Sequence, residues 1–150
     1  MSNASIRILI VEDETAVRQY FLRALSRSIP NLELYEAEDG LRALSMLRRL
    51  PIDLVLSDQR MPLLTGLELL QMVRAESNLP FLLISADRSI ECAALAAGAT
   101  AFLSKPIALN DLRIAVTSAL QIKPLRPAGL FQQPAMLTLD NQSGELPQLC

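Results

Sequence analysis

Several apolar runs of the chain end on polar residues whose types could do chemistry together. The clearest case is Asp58, which follows Leu54-Val55-Leu56 and precedes a break at Pro62. Continuous apolar residues are typical of a strand buried on both faces, and a proline keeps the preceding residue out of helical geometry. Asp58 is therefore either a turn-forming aspartate or a working group at the carboxyl end of a strand, where open α/β sheets bind ligands.

The other polar residues of this kind each follow an apolar run of their own. They are Glu12, Asp13, Ser85 and Lys105. Taken singly, the acidic pair is typical of a solvated loop, the serine of a helix cap and the lysine of a surface cation. If the runs are parallel strands, however, their carboxyl ends lie along one edge of a sheet, and these residues meet there with Asp58.

Such a group has a specific chemistry. Three neighbouring carboxylates repel one another, which favours their protonation unless a cation joins them. Oxygen ligands at a partly solvated loop suit Mg²⁺, and a carboxylate can accept a phosphoryl group as a nucleophile. Phosphoryl transfer then needs positioning and cancellation of charge on the phosphoryl oxygens, which Mg²⁺, Lys105 and the Ser85 hydroxyl could supply.

The elements that must position these residues follow from hydrophobic periodicity. Strands are predicted over residues 6–11, 32–37, 54–56, 81–84 and 100–103. Helices are predicted over residues 14–28, 40–50, from 66 to just before 78, 88–97 and 109–122, and the second buries Leu41, Leu44 and Leu47. Five repeated βα units predict an α/β fold with a doubly wound five-stranded parallel sheet, covered by helices on both faces.

Composition narrows the class of protein. With 150 residues, 51% hydrophobic and 20% charged, the chain suits a single folded domain. Its net charge of −2 argues against direct binding to nucleic acid or an anionic membrane, and no run approaches a membrane span. The cysteines, Cys92 and Cys150, show no disulfide or metal spacing, so we expect a reducing, cytoplasmic location.

The absence of histidine excludes several chemistries. Ser-His-Asp and Cys-His catalysis and imidazole metal sites all need a residue type that this chain lacks. For the same reason the chain cannot itself carry a phosphohistidine.

The segment at residues 123–150 differs from the rest. It is predicted to be a linker or tail after a domain at residues 1–122, because it contains Pro124, Pro127, Pro134 and Pro147. Its apolar residues leave docking onto the domain or a partner as an alternative; they include Leu130, Phe131, Met136, Leu137 and Leu139.

Over residues 6–122 the sequence resembles the receiver domains of two-component response regulators, which belong to the CheY-like superfamily. The matching motifs are Leu9-Ile10-Val11-Glu12-Asp13-Glu14, Ser57-Asp58-Gln59-Arg60-Met61-Pro62 with Gly66, Ile84-Ser85-Ala86 and Lys105-Pro106. The resemblance implies a flavodoxin-like (βα)5 fold with strand order 2-1-3-4-5. Two departures are small: Glu12 replaces the more frequent aspartate, and Ile107 stands where phenylalanine is common.

The resemblance also implies roles for the matched residues. Asp58 would be the phosphoacceptor, Ser85 the switch hydroxyl and Lys105 the phosphate contact. The implied ligands of Mg²⁺, the expected cofactor, are Glu12, Asp13, Asp58 and the main-chain carbonyl of Arg60. Self-phosphorylation and self-dephosphorylation with Mg²⁺ would be the only reactions, so the domain would not be an enzyme with a separate substrate.

Further roles are implied around that centre. Phe102 matches the aromatic switch position, and the alternative is that it is simply a core residue. Arg60 and Asp87 would tune the lifetime of the phosphorylated state by pairing across the path of the hydrolytic water. Pro106 would follow a cis peptide bond, and Gly66 would be structural.

The implied function is a phosphoacceptor signalling domain. A sensor histidine kinase or a phosphotransfer protein would phosphorylate it and so switch the surface formed by the fourth helix, the fifth strand and the last helix. Charges on that surface are compatible with a homodimer; they are Arg88, Glu91, Asp111 and Arg113. The domain would act either alone or as the regulatory part of a longer regulator.

Other readings of the sequence fit less well. A degenerate receiver domain, acting as a phosphorylation-independent interaction module, is the main alternative, because it would keep the same fold. In a flavodoxin, the loop after the first strand would bind a phosphate group. In this chain that loop is Glu12-Asp13-Glu14, whose negative charges would repel the anion. A phosphatase of the haloacid dehalogenase type would need an aspartate in place of Arg60.

Overall fold

The computed structural model describes residues 4–121. The tail predicted at residues 123–150, with Cys150, therefore lies outside the described residues. No helix within the described range is long and apolar enough to cross a membrane.

Five strands alternate with helices along the described chain. The strands are β1 (Ile6–Val11), β2 (Leu32–Ala37), β3 (Leu54–Asp58), β4 (Phe81–Ser85) and β5 (Ala101–Ser104). The helices are α1 (Thr15–Ser28), α2 (Gly40–Arg49), α3 (Gly66–Arg74), α4 (Glu91–Ala96) and α5 (Leu109–Gln121). All neighbouring strands are parallel in the order β2-β1-β3-β4-β5, which confirms the predicted doubly wound, flavodoxin-like fold.

The sheet separates two apolar layers, and its central strands are buried on both faces. Every residue of β3 and β4 is buried. On one face Val55 packs in a cluster with residues of α2, α3 and α4. On the other face Leu54 and Leu56 pack with residues of α1 and α5. Because successive strand residues point to opposite faces, an uninterrupted apolar run can serve both layers, as the sequence indicated.

Three details of the helices differ from the predictions. The fourth helix begins with a 3₁₀ turn, Arg88–Ile90, and the third ends at Arg74, well before Asn78. Leu41, predicted to be buried, is 52% exposed. Leu44 and Leu47 of α2 are buried as predicted, together with Gly40, which packs closely on Leu64.

A polar cluster lies on the two strands at one edge of the sheet, β1 and β2, away from their carboxyl ends. The Glu33 carboxylate accepts hydrogen bonds from the Ser5 hydroxyl, from Arg7 Nε at 3.1 Å and from the Tyr35 hydroxyl at 2.9 Å. The Ser5 bond contributes most, followed by those from Tyr35 and Arg7, and together they lower the pKa of Glu33 to about 2. These bonds favour the ionised carboxylate.

This shift predicts a dependence of stability on pH. Because the folded pKa of Glu33 lies below its ordinary value of 4.5, its stabilising contribution is present above pH 4.5 and lost as the pH falls toward 2. Tyr35→Phe removes one donor and should raise the pKa of Glu33, measured by carboxyl ¹³C NMR. Tyr20→Phe is the matched control, because the Tyr20 hydroxyl contacts the Ile107 carbonyl instead. An unchanged Glu33 pKa in Tyr35→Phe would contradict the assignment.

Candidate functional site

The structure brings the predicted polar residues together at the carboxyl edge of the sheet. Glu12 directly follows β1, Asp58 ends β3 and Ser85 ends β4. The register aligns Val11 with Ser57, and Asp58 with Ile84, so these strand ends are level with one another. The adjacency is a consequence of strand order, since β3 lies between β1 and β4.

Lys105 joins the two buried carboxylates of the site. Its Nζ lies 3.0 Å from Asp58 Oδ1 and 3.3 Å from Glu12 Oε2. Asp58 is 6% exposed and Glu12 only 1%, so both negative charges are largely removed from water. A buried carboxylate without a cationic partner is strongly unfavourable, and Lys105 supplies that partner to both.

Burial shapes the protonation of the site. Burial, with a smaller contribution from the Asp58 charge, raises the pKa of Glu12 to about 7, even though the bonds from the Glu14 N–H and Lys105 oppose the shift. Burial also raises the pKa of Asp58, although Lys105 and the Gln59 backbone N–H oppose the shift. The pKa of Lys105 is raised too, because its two carboxylate partners outweigh the effect of its own burial.

The donor set fits a hard divalent cation. Glu12, Asp13 and Asp58 each offer a carboxylate oxygen, and these oxygens lie within 4.8 Å of one another. Oxygen-only ligands with room for water are what Mg²⁺ prefers. Besides burial, the Asp58 charge helps to raise the pKa of Glu12 and the Asp13 charge helps to raise the pKa of Asp58. A bound cation would oppose these effects by favouring the ionised carboxylates.

Comparison with known proteins places the chain in a family. The family model described as response regulator receiver domain matches residues 8–117. The chain belongs to the response regulator receiver domain family. It is 36% identical to Response regulator MprA of Mycobacterium bovis over 149 residues, covering 95% of this chain and 63% of that protein. It is 35% identical to Response regulator protein PilR of Pseudomonas aeruginosa over 150 residues, covering 93% of this chain and 33% of that one.

A solved structure supports the same assignment. The signal receiver domain of the putative response regulator NarL from Mycobacterium tuberculosis superposes with a TM-score of 0.73 at 32% sequence identity. The match covers 79% of this chain and 98% of that domain. The match thus covers nearly all of that solved receiver domain, whereas the chain spans only 63% and 33% of the lengths of MprA and PilR.

A cavity of about 180 Å³ opens beside the Asp58 carboxylate. It is lined by Asp58, Arg60, Ser85, Ala86, Asp87 and Lys105. The Ser85 hydroxyl, 2% exposed, accepts a hydrogen bond from the Asp87 N–H at 3.0 Å. This places the predicted switch hydroxyl in the same cavity as the predicted acceptor and phosphate contact.

Arg60 and Asp87 line that cavity without a direct ion pair between them among residues 4–121. Asp87 accepts instead from the Ser89 N–H at 2.9 Å and the Ser89 hydroxyl at 2.6 Å. These bonds are the main reason that the pKa of Asp87 is lowered, and the Arg60 charge adds to them. Their effect on the lifetime of a phosphorylated state stays a prediction, as does metal ligation by the Arg60 carbonyl.

The remaining predicted residues lie around the same edge. The Lys105–Pro106 peptide bond is cis, as the resemblance implied. Phe102 in β5 is partly buried against the apolar cluster on the α2, α3 and α4 face. Gly66 packs so tightly on β3 that a Cβ there would overlap the Asp58 carbonyl oxygen, which explains why this position of the receiver domain needs glycine.

Two contributors to the site were not identified from the sequence. The Gln59 side-chain oxygen accepts from the Leu67 N–H at 2.8 Å, and so supports the start of α3, which follows the loop after Asp58. Arg18 Nη1 donates to the Glu12 main-chain carbonyl at 2.8 Å. A cation near the positive end of α1 is unfavourable for the helix dipole, and that position was a signal that Arg18 has a specific partner.

Proposed function

We propose that this receiver domain accepts a phosphoryl group on the Asp58 carboxylate. The observation that carries the proposal is the position of the Lys105 ammonium, which contacts both Asp58 and Glu12 at the shared edge of the sheet. A surface lysine or a turn-forming aspartate would not need to be held against a second buried carboxylate. The arrangement supports group transfer, because it pairs a nucleophilic oxygen with a fixed positive charge.

The donor is proposed to be a phosphohistidine on a sensor histidine kinase or a phosphotransfer protein. An Asp58 carboxylate oxygen forms a bond to phosphorus, the phosphorus–nitrogen bond of the donor breaks, and its electron pair stays on the imidazole nitrogen. A partner must supply that imidazole, because the chain contains no histidine. Lys105 stays beside the acceptor and cancels charge on the transferred group.

Glu12, Asp13, Asp58 and the Arg60 carbonyl are proposed to hold Mg²⁺. When bound, the cation supplies further charge cancellation on phosphoryl oxygens. The chain's own part is to keep these oxygens oriented: Glu12 Oε1 accepts from the Glu14 N–H at 3.1 Å, and Oε2 faces Lys105.

Acetyl phosphate tests the proposal without a partner protein. With Mg²⁺ present, we expect intact-mass measurement to show one added phosphoryl group, and excess EDTA should prevent the addition. Omission of acetyl phosphate is the control for modification acquired during expression. A protein that binds Mg²⁺ yet gains no phosphoryl group from acetyl phosphate would support the phosphorylation-independent interaction module instead.

Phosphorylation is further proposed to change the surface formed by α4, β5 and α5. The added group carries negative charge and strong acceptor oxygens, so the Ser85 hydroxyl can leave the Asp87 N–H, to which it is bonded at 3.0 Å, and donate to a phosphoryl oxygen. Movement of that loop leaves room for Phe102 to rotate, which alters the surface next to α4. The same surface is the proposed contact for a homodimer.

Ser85→Ala tests this coupling. With beryllofluoride and Mg²⁺, amide signals from residues 88–119 should shift strongly in the wild type and weakly in the variant, because alanine cannot donate to the phosphate analogue. Amide signals near Asp58 should shift in both proteins, which shows that the analogue has bound. Equal shifts at residues 88–119 in both proteins would exclude Ser85 as the coupling residue.

The same proposal implies a cellular location for the domain and a place for it within a longer protein. We place it in the cytoplasm, where a histidine kinase could reach it. Because MprA and PilR extend well beyond the matched region, this chain is proposed to be the regulatory part of such a regulator. The domain itself is not proposed to contact nucleic acid or membrane, since its net charge is −2.

A further inference from the structure

The two acidic residues after β1 are held in different ways. The Glu12 carboxylate has donors on both oxygens, from the Glu14 N–H at 3.1 Å and Lys105 Nζ at 3.3 Å. The Asp13 carboxylate is exposed and accepts no hydrogen bond from any residue in the described part of the chain. The direction of the Asp13 side chain therefore depends on the backbone that carries it.

That backbone is tied at two points. The Glu12 N–H donates to the Ala37 carbonyl at the end of β2, at 3.1 Å. The Glu12 carbonyl, which belongs to the peptide plane leading into Asp13, accepts from Arg18 Nη1 at 2.8 Å. Because a peptide unit is planar, a bond to this carbonyl restricts the orientation from which the Asp13 side chain starts.

Arg18 is itself held in place for this contact. Its Nε donates to Glu36 Oε1 at 2.9 Å, and its side chain is only 14% exposed. Gln19 Nε2 also approaches Glu36 Oε1, at 3.3 Å. The guanidinium makes both bonds from different nitrogens of one rigid, planar group, whereas an ammonium would have to make them from a single nitrogen on a flexible stem. The bridge from β2 through Arg18 to the acidic loop is thus a fixed connection.

We infer that Arg18 is a positioning residue for the Asp13 carboxylate, and through it for divalent-cation binding at the acidic site. The inference rests on the Mg²⁺ site of the proposed function. Arg18 does not touch the cation or the acceptor. It sets the orientation of the peptide plane, so that an Asp13 carboxylate oxygen stays within 4.8 Å of the Glu12 and Asp58 carboxylate oxygens.

The direction in which Mg²⁺ affinity changes when Arg18 is replaced distinguishes a positioning role from a purely electrostatic one. Removal of a positive charge near a cation site should strengthen cation binding if charge alone matters. A positioning role predicts the opposite. We expect Arg18→Met, which keeps an unbranched apolar stem, to raise the dissociation constant for Mg²⁺ by about tenfold, the lower end of the range for outer-shell partners of metal ligands.

Arg42→Met is the matched control. Arg42 lines the same cleft as Arg18, together with Glu36 and Glu38, and its removal changes the net charge equally. It makes no side-chain bond to the acidic loop in the described residues. The Mg²⁺ affinity of the Arg42→Met variant, measured by calorimetry and by amide shifts of the full chain, should equal or slightly exceed that of the wild type.

A double-mutant cycle tests whether Arg18 acts through Asp13. In an Asp13→Asn background, Arg18→Met should weaken Mg²⁺ binding by much less than in the wild type, because the effects of mutations at interacting residues are not additive. Arg18→Lys should show a smaller loss in the same direction, and it carries the test if Arg18→Met does not fold.

The outcomes are distinct. Wild-type affinity or tighter binding in Arg18→Met would overturn the positioning role and leave the Mg²⁺ site intact. A full loss that persists in the Asp13→Asn background would also overturn it. Failure of the wild type to bind Mg²⁺ would instead refute the proposed site, and the positioning role with it.

Discussion

Asp58→Asn is expected to abolish phosphorylation by acetyl phosphate. Asparagine has nearly the same shape as aspartate, so it fits a position that is only 6% exposed. It lacks the anionic oxygen that must form the bond to phosphorus. Intact-mass measurement after incubation with acetyl phosphate and Mg²⁺ should show only the unmodified variant.

The variant should also fold at least as stably as the wild type without metal. Burial raises the pKa of Asp58, so its charge costs stability in the folded state, and asparagine removes that cost. Asp111→Asn, in the exposed first turn of α5, is the control for loss of a carboxylate elsewhere and should be phosphorylated normally. A phosphoryl group on folded Asp58→Asn would mean that another residue is the acceptor.

Lys105→Met is expected to slow phosphorylation of Asp58 by about 100-fold, the typical cost of removing one preorganised charge-stabilising donor. Lys105 Nζ lies 3.0 Å from the acceptor oxygen, where it can cancel charge on the transferred group. The rate should be measured with acetyl phosphate at saturating Mg²⁺, because loss of a nearby cation could also tighten metal binding.

The same variant should be less stable in EDTA. Without Lys105 the buried carboxylates of Glu12 and Asp58 lose their shared cation, and we expect a cost of about 1–3 kcal/mol in the free energy of unfolding near neutral pH. Lys105→Arg keeps the charge in a different shape, so it should retain stability better than it retains rate. A Lys105→Met rate within about threefold of the wild-type rate, against the expected loss of about 100-fold, would exclude a direct role in transfer.

The positions of the chemical residues could be derived from the sequence because they depend on local pattern. An apolar run that is buried on both faces must end where a charge appears, and Asp58 marks such an end. Parallel strands then force the carboxyl ends of all runs to one edge of the sheet. Glu12, Ser85 and Lys105 therefore converge as predicted, even though Lys105 and Glu12 are 93 positions apart.

Helix packing was less predictable from periodicity. Leu41 continues an apolar spacing, yet Gly40 and not Leu41 faces the domain, because close approach of α2 to Leu64 favours a residue without a side chain. The 3₁₀ start of the fourth helix likewise follows from Asp87, whose side chain bonds to Ser89 and shapes that turn. Such preferences depend on a neighbouring element or a local cap, which hydrophobic spacing does not encode.

The sequence by itself determined the fold class, the family and the residues that meet at the site. Only the tertiary structure decided how those residues are held and charged. Burial of Glu12, which raises its pKa to about 7, depends on the layers packed around β1. The bond from Arg18 to the Glu12 carbonyl depends on how α1 docks between that loop and Glu36 of β2. Both are through-space effects of strand order and helix docking, so local residue patterns could not reveal them.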